Sequence, residues 1–323
     1  MRALRFHAHG APSVLQVDEV AGPRPPRGDE LLVEVAASSI NGTDLGLRRG
    51  DLPAVATWGR LPFTPGFDLA GVVVDTGPGV TAFARGDRVM ALLGHGGGAQ
   101  AERVVVRQSR AALCPRTVET TTAAAIPLAG LTALQALQGC GHLQQRPRGA
   151  RVLVLGASGG IGSYAVQLAK DLGAHVTGVA RAAKHTHLRD LGADEVVDRR
   201  QTDVSTLSDR YDVVLDAAGV QGFAAVGHLL VPDGRLVSVR PLSLDAARGA
   251  LARRLPAGMD ARHRGVSAVR TTARSQDLTR LAALVDAGRL RVPVDATYPL
   301  EAAREAHAHA ERDVRGKVVL TLG

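Results

Sequence analysis

The sequence predicts an α/β protein: a doubly wound parallel sheet, preceded by a separate β-rich unit. Three observations carry that expectation. Residues 1–110 read as strands and turns, whereas from about residue 120 short apolar runs alternate with amphipathic helical segments. At the start of that second texture, VLVLGASGGIG (152–162) takes a strand through a glycine-rich turn into a helix, where a backbone approaches a phosphate.

The elements follow in order. MRALRFHAHG alternates like a strand and lacks the long apolar core of a signal peptide. ELLVEVAASSI (30–40) and LAGVVVDTG (69–77) are β-rich, and Gly86-Asp87 closes a turn before another strand. VETTTAAAIPLAGLTALQALQ (118–138) is helical, and GHLQQRPRGA (141–150) leads into the first sheet strand. RVLVLG, HVTGVA, DEVVD, YDVVLDAAG and GRLVSV are then strands, spaced by segments such as GGIGSYAVQLAKDLG. SQDLTRLAALVDAGRL (275–290) is an amphipathic helix, and RGKVVLTLG ends the chain as a strand. There is no internal repeat and no low-complexity linker.

Composition narrows the function. A length of 323 residues accommodates two domains. Aromatics at 3% leave few platforms for stacking bases, and only three of the 39 basic residues are lysine, the arginines being scattered. The net charge of +8 therefore reads as an Arg-for-Lys bias, and nucleic acid is not an expected partner. Cys114 and Cys140 show no paired spacing, which supports neither a disulfide framework nor a zinc knuckle. The most apolar stretch (123–137) holds Pro127 and is too short to span a bilayer, so no membrane role and a cytoplasmic location are expected.

In the glycine loop Ala157, Gly159 and Gly162 occupy the three fingerprint positions, with Gly156 adding freedom to the turn. A helix starting near Gly160 would aim its amides and its dipole at a pyrophosphate. An NAD site carries Asp or Glu about 20 residues further on, at the end of the second strand. Here that place reads GVARAAKH, with Arg181 and Lys184 and no carboxylate. These cations would bind a 2′-phosphate, so the expected cofactor is NADPH. GASGGIG also opens short-chain dehydrogenases, which need a Tyr-x-x-x-Lys pair. Tyr164, Tyr211 and Tyr298 are followed four places on by Leu168, Leu215 and Ala302, which excludes that family.

INGTDLGLRRG, PGFDLAGVVVDTGPGVTAFARGDRV, GGAQAERVVV, AAAIPLAGLTALQAL, the glycine loop, LGADEVVDRR, VPDGRLVSV and RGKVVLTL occur in that order from end to end. With them the chain resembles the medium-chain dehydrogenase/reductase superfamily, in its zinc-independent quinone oxidoreductase and enoyl reductase branch. The resemblance implies a GroES-like β-barrel domain over residues 1–122, rejoined by 290–323, and an NADP-binding Rossmann domain over 123–289, with the active site in the cleft between them. Zinc alcohol dehydrogenases of the superfamily have a Cys and a Gly-His-Glu where this chain has Asn41 and Gly66-Phe67-Asp68. Phenylalanine cannot ligate a metal, so no metal site is expected, and HAHA (307–310) reads as surface histidines. Without a Lewis acid, the chemistry points to a quinone or the C=C of an α,β-unsaturated carbonyl, whose reduction gives a delocalised anion.

The resemblance also implies roles. Asn41, Asp44 and Thr132 form the catalytic set, with Asn41 donating to a developing oxyanion. A turn role for Asn41 and a helix-capping role for Asp44 remain open alternatives. Ser158, Gly159, Gly160, Ile161 and Gly162 would hold the pyrophosphate, and Arg181, Lys184 and Arg199 the 2′-phosphate. Ala218, Gly219, Ser238 and Val239 would lie under the nicotinamide, and Lys317 near the cofactor. In polyketide-type enoyl reductases the lysine matching Lys184 has been proposed as a proton donor; here it is assigned to the phosphate and solvent supplies the proton. Leu52 stands where many quinone-branch relatives have tyrosine. A pathway-specific enoyl reductase for a carrier-bound or polycyclic intermediate is the alternative, with residues 51–65 lining its pocket. A non-catalytic cofactor- or RNA-binding protein is the remaining one. Relatives commonly dimerise through the edges of their nucleotide-binding sheets, so a homodimer joined at 264–272 is expected.

Overall fold

The computed structural model describes residues 1–52, 61–94, 96–240 and 265–323. In chain order the strands are β1 (Arg2–Phe6), β2 (Leu15–Glu19), β3 (Glu30–Ile40), β4 (Asp68–Thr76), β5 (Arg88–Leu92), β6 (Arg103–Arg107) and β7 (Ala111–Leu113). Then come β8 (Arg151–Leu155), β9 (His175–Ala180), β10 (Glu195–Asp198), β11 (Tyr211–Asp216), β12 (Leu230–Ser238) and β13 (Val266–Ala268). The last two are β14 (Val294–Pro299) and β15 (Lys317–Thr321). No helix among the described residues is long and apolar enough to cross a membrane.

The chain divides into two units, Met1–Leu131 with Thr272–Gly323, and Thr132–Thr271. In the first unit, one sheet has the order β14-β15-β3-β4-β5-β7, with β6 also pairing β3, and β1 and β2 form a separate antiparallel pair. β3 begins with alternating burial, one face in and one face out, but its last four residues, Ala37 to Ile40, are all buried. There β15 pairs one side of β3 and β4 the other. An eight-residue helix, Gly42–Arg49, follows β3 directly and ends at Gly50, whose φ of +84° is a left-handed cap.

In the second unit, six parallel strands take the order β10-β9-β8-β11-β12-β13, which reverses direction at β8 and β11 as in a doubly wound sheet. Four of the five residues of β8 are buried without alternation, as expected where helices cover both faces. Leu153, Leu155, Val179, Val214, Leu236 and Val266 form one core cluster with Tyr211 and Val226.

The division differs from the sequence expectation of breaks near 122 and 290. The helix Ser275–Asp286 belongs to the first unit, because Asp286 Oδ1 accepts from the backbone N–H of Arg116 (2.7 Å) and of Thr117 (3.0 Å). The other break falls inside the helix Pro127–Gln135, after Leu131, where the helix runs through without a turn.

Candidate active site

In the second unit the glycine loop joins β8 to the helix Gly160–Asp171. Gly156 has φ +70°, and Gly159 is the residue before the first helical turn. The first helical hydrogen bond runs from Ser163 N to Gly159 O at 2.9 Å, so the N–H groups of Gly160, Ile161 and Gly162 have no acceptor within the helix. A Cβ on Gly162 would meet the carbonyl oxygen of Gly156 and lie 2.7 Å from Ala157 Cα. A Cβ on Gly159 would have only Gly156 O nearby, at 3.5 Å. One glycine thus permits packing, and the other leaves open space in front of the helix.

The ends of β9 and β10 bring the cations together. Their parallel register pairs Ala180 with Asp198, so Arg181 and Arg199 leave the sheet side by side, and Arg199 N donates to Ala180 O at 3.0 Å. Lys184 closes the turn that begins at Arg181, its N–H bonded to Arg181 O at 2.9 Å. Asp198, the carboxylate at this end of the register, accepts from Arg200 N at 3.0 Å, and Glu195 lies at its other end.

Ala218, Gly219, Ser238 and Val239 surround Asp216, which sequence reasoning passed over. The Asp216 carboxylate is buried at the end of β11 and accepts from Gly219 N (2.9 Å) and Gln221 N (2.8 Å). Burial raises its pKa, and these backbone bonds oppose the rise. An Asp ending an apolar strand before Ala-Ala-Gly is an Asx-turn signal that could have revealed it. Thr132 lies in the same unit, its hydroxyl 2.7 Å from that of Thr271.

The first unit gathers a different group. Continuing the antiparallel register of Val318 with Ile40 by one residue sets Lys317 opposite Asn41. Continuing that of Ser38 with Leu69 sets Ser39 opposite Asp68. Lys317 Nζ donates to Ile40 O at 2.9 Å and to Asn41 Oδ1. Asn41 Nδ2 donates to Asp68 Oδ1 (3.1 Å) and to Ser39 O (3.2 Å). Ser39 Oγ also donates to Asp68 Oδ1, at 2.8 Å. Asp44, in the first turn of the following helix, accepts from Asn41 N (2.8 Å) and Gly66 N (2.7 Å), which is the carboxylate half of a capping box.

Asp44 and Asp68 are fully buried, Lys317 is 3% exposed and Asn41 is 8% exposed. Burial pushes Asp44 up to about 7, and neighbouring Asp68 adds to the rise. Burial likewise raises Asp68 and lowers Lys317, each opposed by the other's charge.

Two of the expected site residues, Asn41 and Lys317, have partners that the sequence did not show, and one expectation, that of surface histidines, is corrected. Both amide hydrogens of Asn41 are bonded within the cluster, so it is not a free donor. Lys317 directs its amine into this cluster, because the register of β15 on β3 turns it inward. His307 is fully buried, with neither ring nitrogen hydrogen-bonded, and burial next to Arg48 pushes it down to about 3; only its neighbour His309 bonds outward partners, Tyr298 and Asp295. Asp68 had been passed over, although a charge opening the apolar run DLAGVVV is itself a sign of a buried polar role.

Residues 27–116 match the alcohol dehydrogenase GroES-like domain, residues 191–320 the zinc-binding dehydrogenase family, and residues 152–228 the NAD dependent epimerase/dehydratase family. The chain is 31% identical to the chloroplast envelope quinone oxidoreductase homolog of Arabidopsis thaliana, over 99% of this chain and 98% of that protein. It belongs to the medium-chain dehydrogenase/reductase superfamily. Within it, the quinone oxidoreductase and enoyl reductase branch is the one it joins, and it is an oxidoreductase. The solved quinone oxidoreductase of Coxiella burnetii covers 100% of this chain and 99% of its own, with a TM-score of 0.89 at 29% identity. The Escherichia coli quinone oxidoreductase complexed with NADPH covers 100% of both chains, with a TM-score of 0.81 at 28% identity.

The zinc-binding family model raises the question of a metal, and in this superfamily member the donors do not fit one. Phe67 is a buried hydrocarbon, the Asn41 amide is fully engaged, and an ammonium already sits on the Asn41 oxygen. The described residues contain no group of three or more His, Cys, Asp or Glu able to hold a metal ion. The glycine loop, by contrast, fits a dinucleotide: a Cβ at Gly159 would have only Gly156 O nearby, and the three N–H groups that follow it have no acceptor within the helix.

Proposed function

We propose that this oxidoreductase uses NADPH to reduce quinones and the C=C bond of α,β-unsaturated carbonyl compounds, without a metal. The observation that carries the reading is the pairing of Arg181 with Arg199 at the ends of β9 and β10, beside the glycine loop and with Lys184 one turn on. The branch to which the chain belongs, with an E. coli neighbour solved with NADPH, supports it.

When bound, the cofactor supplies a hydride. Ser158, Gly159, Gly160, Ile161 and Gly162 would hold its pyrophosphate through backbone N–H groups, and Arg181, Lys184 and Arg199 its 2′-phosphate. Ala218, Gly219, Ser238 and Val239 would support its nicotinamide end on the turn that Asp216 ties. Asn41, Asp44 and Thr132 form the proposed catalytic set. Asn41 is the most exposed member of its cluster, and it would meet developing enolate charge by sharing one of its hydrogens. Its bond to Ser39 O, the longer of the two, is the one to give. Asp44 acts through Asn41 by holding its backbone N–H, and solvent supplies the product's proton.

The test is cofactor affinity by NADPH fluorescence, followed by turnover of 1,4-benzoquinone and a simple enone. NADPH is expected to bind at least about tenfold tighter than NADH, or about 1.4 kcal/mol. Lys184→Ala should remove much of that difference. Equal affinity for the two cofactors in the unmodified protein would overturn the assignment.

A further inference from the structure

The amide of Asn41 can satisfy its neighbours in only one of its two orientations. Its oxygen faces the Lys317 ammonium, and its two hydrogens face the Asp68 carboxylate and the Ser39 carbonyl. Rotating the amide by half a turn would set NH2 against NH3⁺ and oxygen against two acceptors. The Ser39 carbonyl, which can only accept, favours the same orientation through a neutral bond of 3.2 Å. The backbone N–H of Asp44, from which the Asn41 side chain accepts in the capping box, also favours it, and the ammonium and the carboxylate add charge to that choice from opposite ends. Both are inside the protein, where a charge contact is screened little by water.

Lys317 has a second effect. Two fully buried carboxylates, Asp44 and Asp68, lie within reach of its field, and the other described groups bonded to them are neutral N–H and O–H donors. Removing the ammonium would take away the cation that opposes the rise of both carboxyl groups, so each would hold its proton to higher pH and the charge facing Asn41 would weaken.

We infer that Lys317 is a positioning residue: its buried ammonium, acting with Asp68, fixes the polarity of the Asn41 amide, and it is not a ligand of the cofactor's phosphates. This rests on the reductase reading above, in which Asn41 meets the substrate. The observation separating it from a cofactor role is the direction of the amine, which donates to Ile40 O and Asn41 Oδ1.

The experiment compares the full-length protein with Lys317→Met, Lys317→Arg and the double variant Asp68→Asn/Lys317→Met. The double variant keeps the net charge of the cluster, so it is expected to fold better than Lys317→Met. For each, kcat and KM for 1,4-benzoquinone, Kd for NADPH and the unfolding midpoint are measured. The side-chain NH2 protons of Asn41 are followed by NMR hydrogen exchange as a readout independent of turnover. Lys317→Met and the double variant should lose about tenfold or more in kcat per folded molecule, a cost typical of misplaced catalytic groups. Their NADPH Kd should stay within about twofold, and exchange of the Asn41 protons should accelerate. Lys317→Arg, which keeps the cation, should recover part of kcat.

Wild-type kcat in the folded double variant, with Asn41 exchange unchanged, would show Lys317 to be a structural strut only. A weakening of NADPH binding by tenfold with kcat preserved would return it to the cofactor site. An unmodified protein that neither binds NADPH nor reduces the quinone would instead sink the functional reading. The exchange measurement would then still decide whether Lys317 orients the amide.

Discussion

Asp44 shows how a single residue can couple the site to pH. Its carboxyl is held at about 7, against 3.8 when free, chiefly because burial disfavours the charge. The folded state therefore keeps a proton that the unfolded chain has lost, throughout the interval between those values. Stability falls as pH rises from about 4 to about 7 and is level above that, at an overall cost of a few kcal/mol. Asp68, raised in the same direction, adds to the trend. Asp44→Asn should flatten part of this slope in urea titrations from pH 4 to 8, leaving the share due to Asp68. It should also lower stability at pH 4, because an amide NH2 would face either Asn41 N–H or Gly66 N–H. An unchanged slope would mean that Asp44 stays ionised down to ordinary carboxylate pH. The sequence displayed Asp44 as a cap three residues beyond Asn41, and the structure makes that contact. Its burial was not legible, since it depends on Gly66, a residue that reaches it only through the path of β4.

At the scale of the element, the glycine loop was the most legible part of the chain, because each glycine answers a local steric demand. Gly162 and Gly159 answer different ones, which allows packing to be separated from binding. Gly162→Ala would drive a methyl into Ala157 Cα and the Gly156 carbonyl, both backbone that cannot turn aside. It should lower the unfolding midpoint and weaken NADPH together. Gly159 has φ −77° and open space around its missing Cβ, so Gly159→Ala should cost about 1 kcal/mol or less in stability, the ordinary loss at a helix N-cap. It should nonetheless weaken NADPH by about tenfold or more, if the pyrophosphate uses that space. Equal NADPH affinity in Gly159→Ala and the parent would place the phosphate elsewhere. What the loop sequence could not show is the pairing of Arg181 with Arg199. That depends on the register of β10 on β9, set by strand neighbours 18 positions apart.

For the whole molecule, strand runs and their alternation with helices were readable because apolar periodicity is local, whereas the grouping of elements was not. The helix Ser275–Asp286 reads like any other amphipathic helix, yet it joins the first unit through Arg116 and Thr117, more than 150 residues earlier. The partners of Lys317 were hidden for the same reason: they are decided by β15 lying on β3. Assembly is the remaining question at this scale. β13 ends the order of the six described strands in the second unit. Gly265 O accepts from Leu236 N, and Val269 N donates to Ser238 O, so these alternate residues face β12. By the two-residue period of a strand, the N–H of Ala268 points the other way, and no bond to it is made among the described residues. A second copy could pair there and extend the sheet. The protein should therefore sediment as a dimer at micromolar concentration. Ala268→Pro removes that one outward N–H and none of the bonds to β12, so it should shift the equilibrium to monomer with the fold intact. A dimer that persists in the folded Ala268→Pro protein would place the interface on another surface, and a parent protein that is monomeric throughout would remove the edge from consideration.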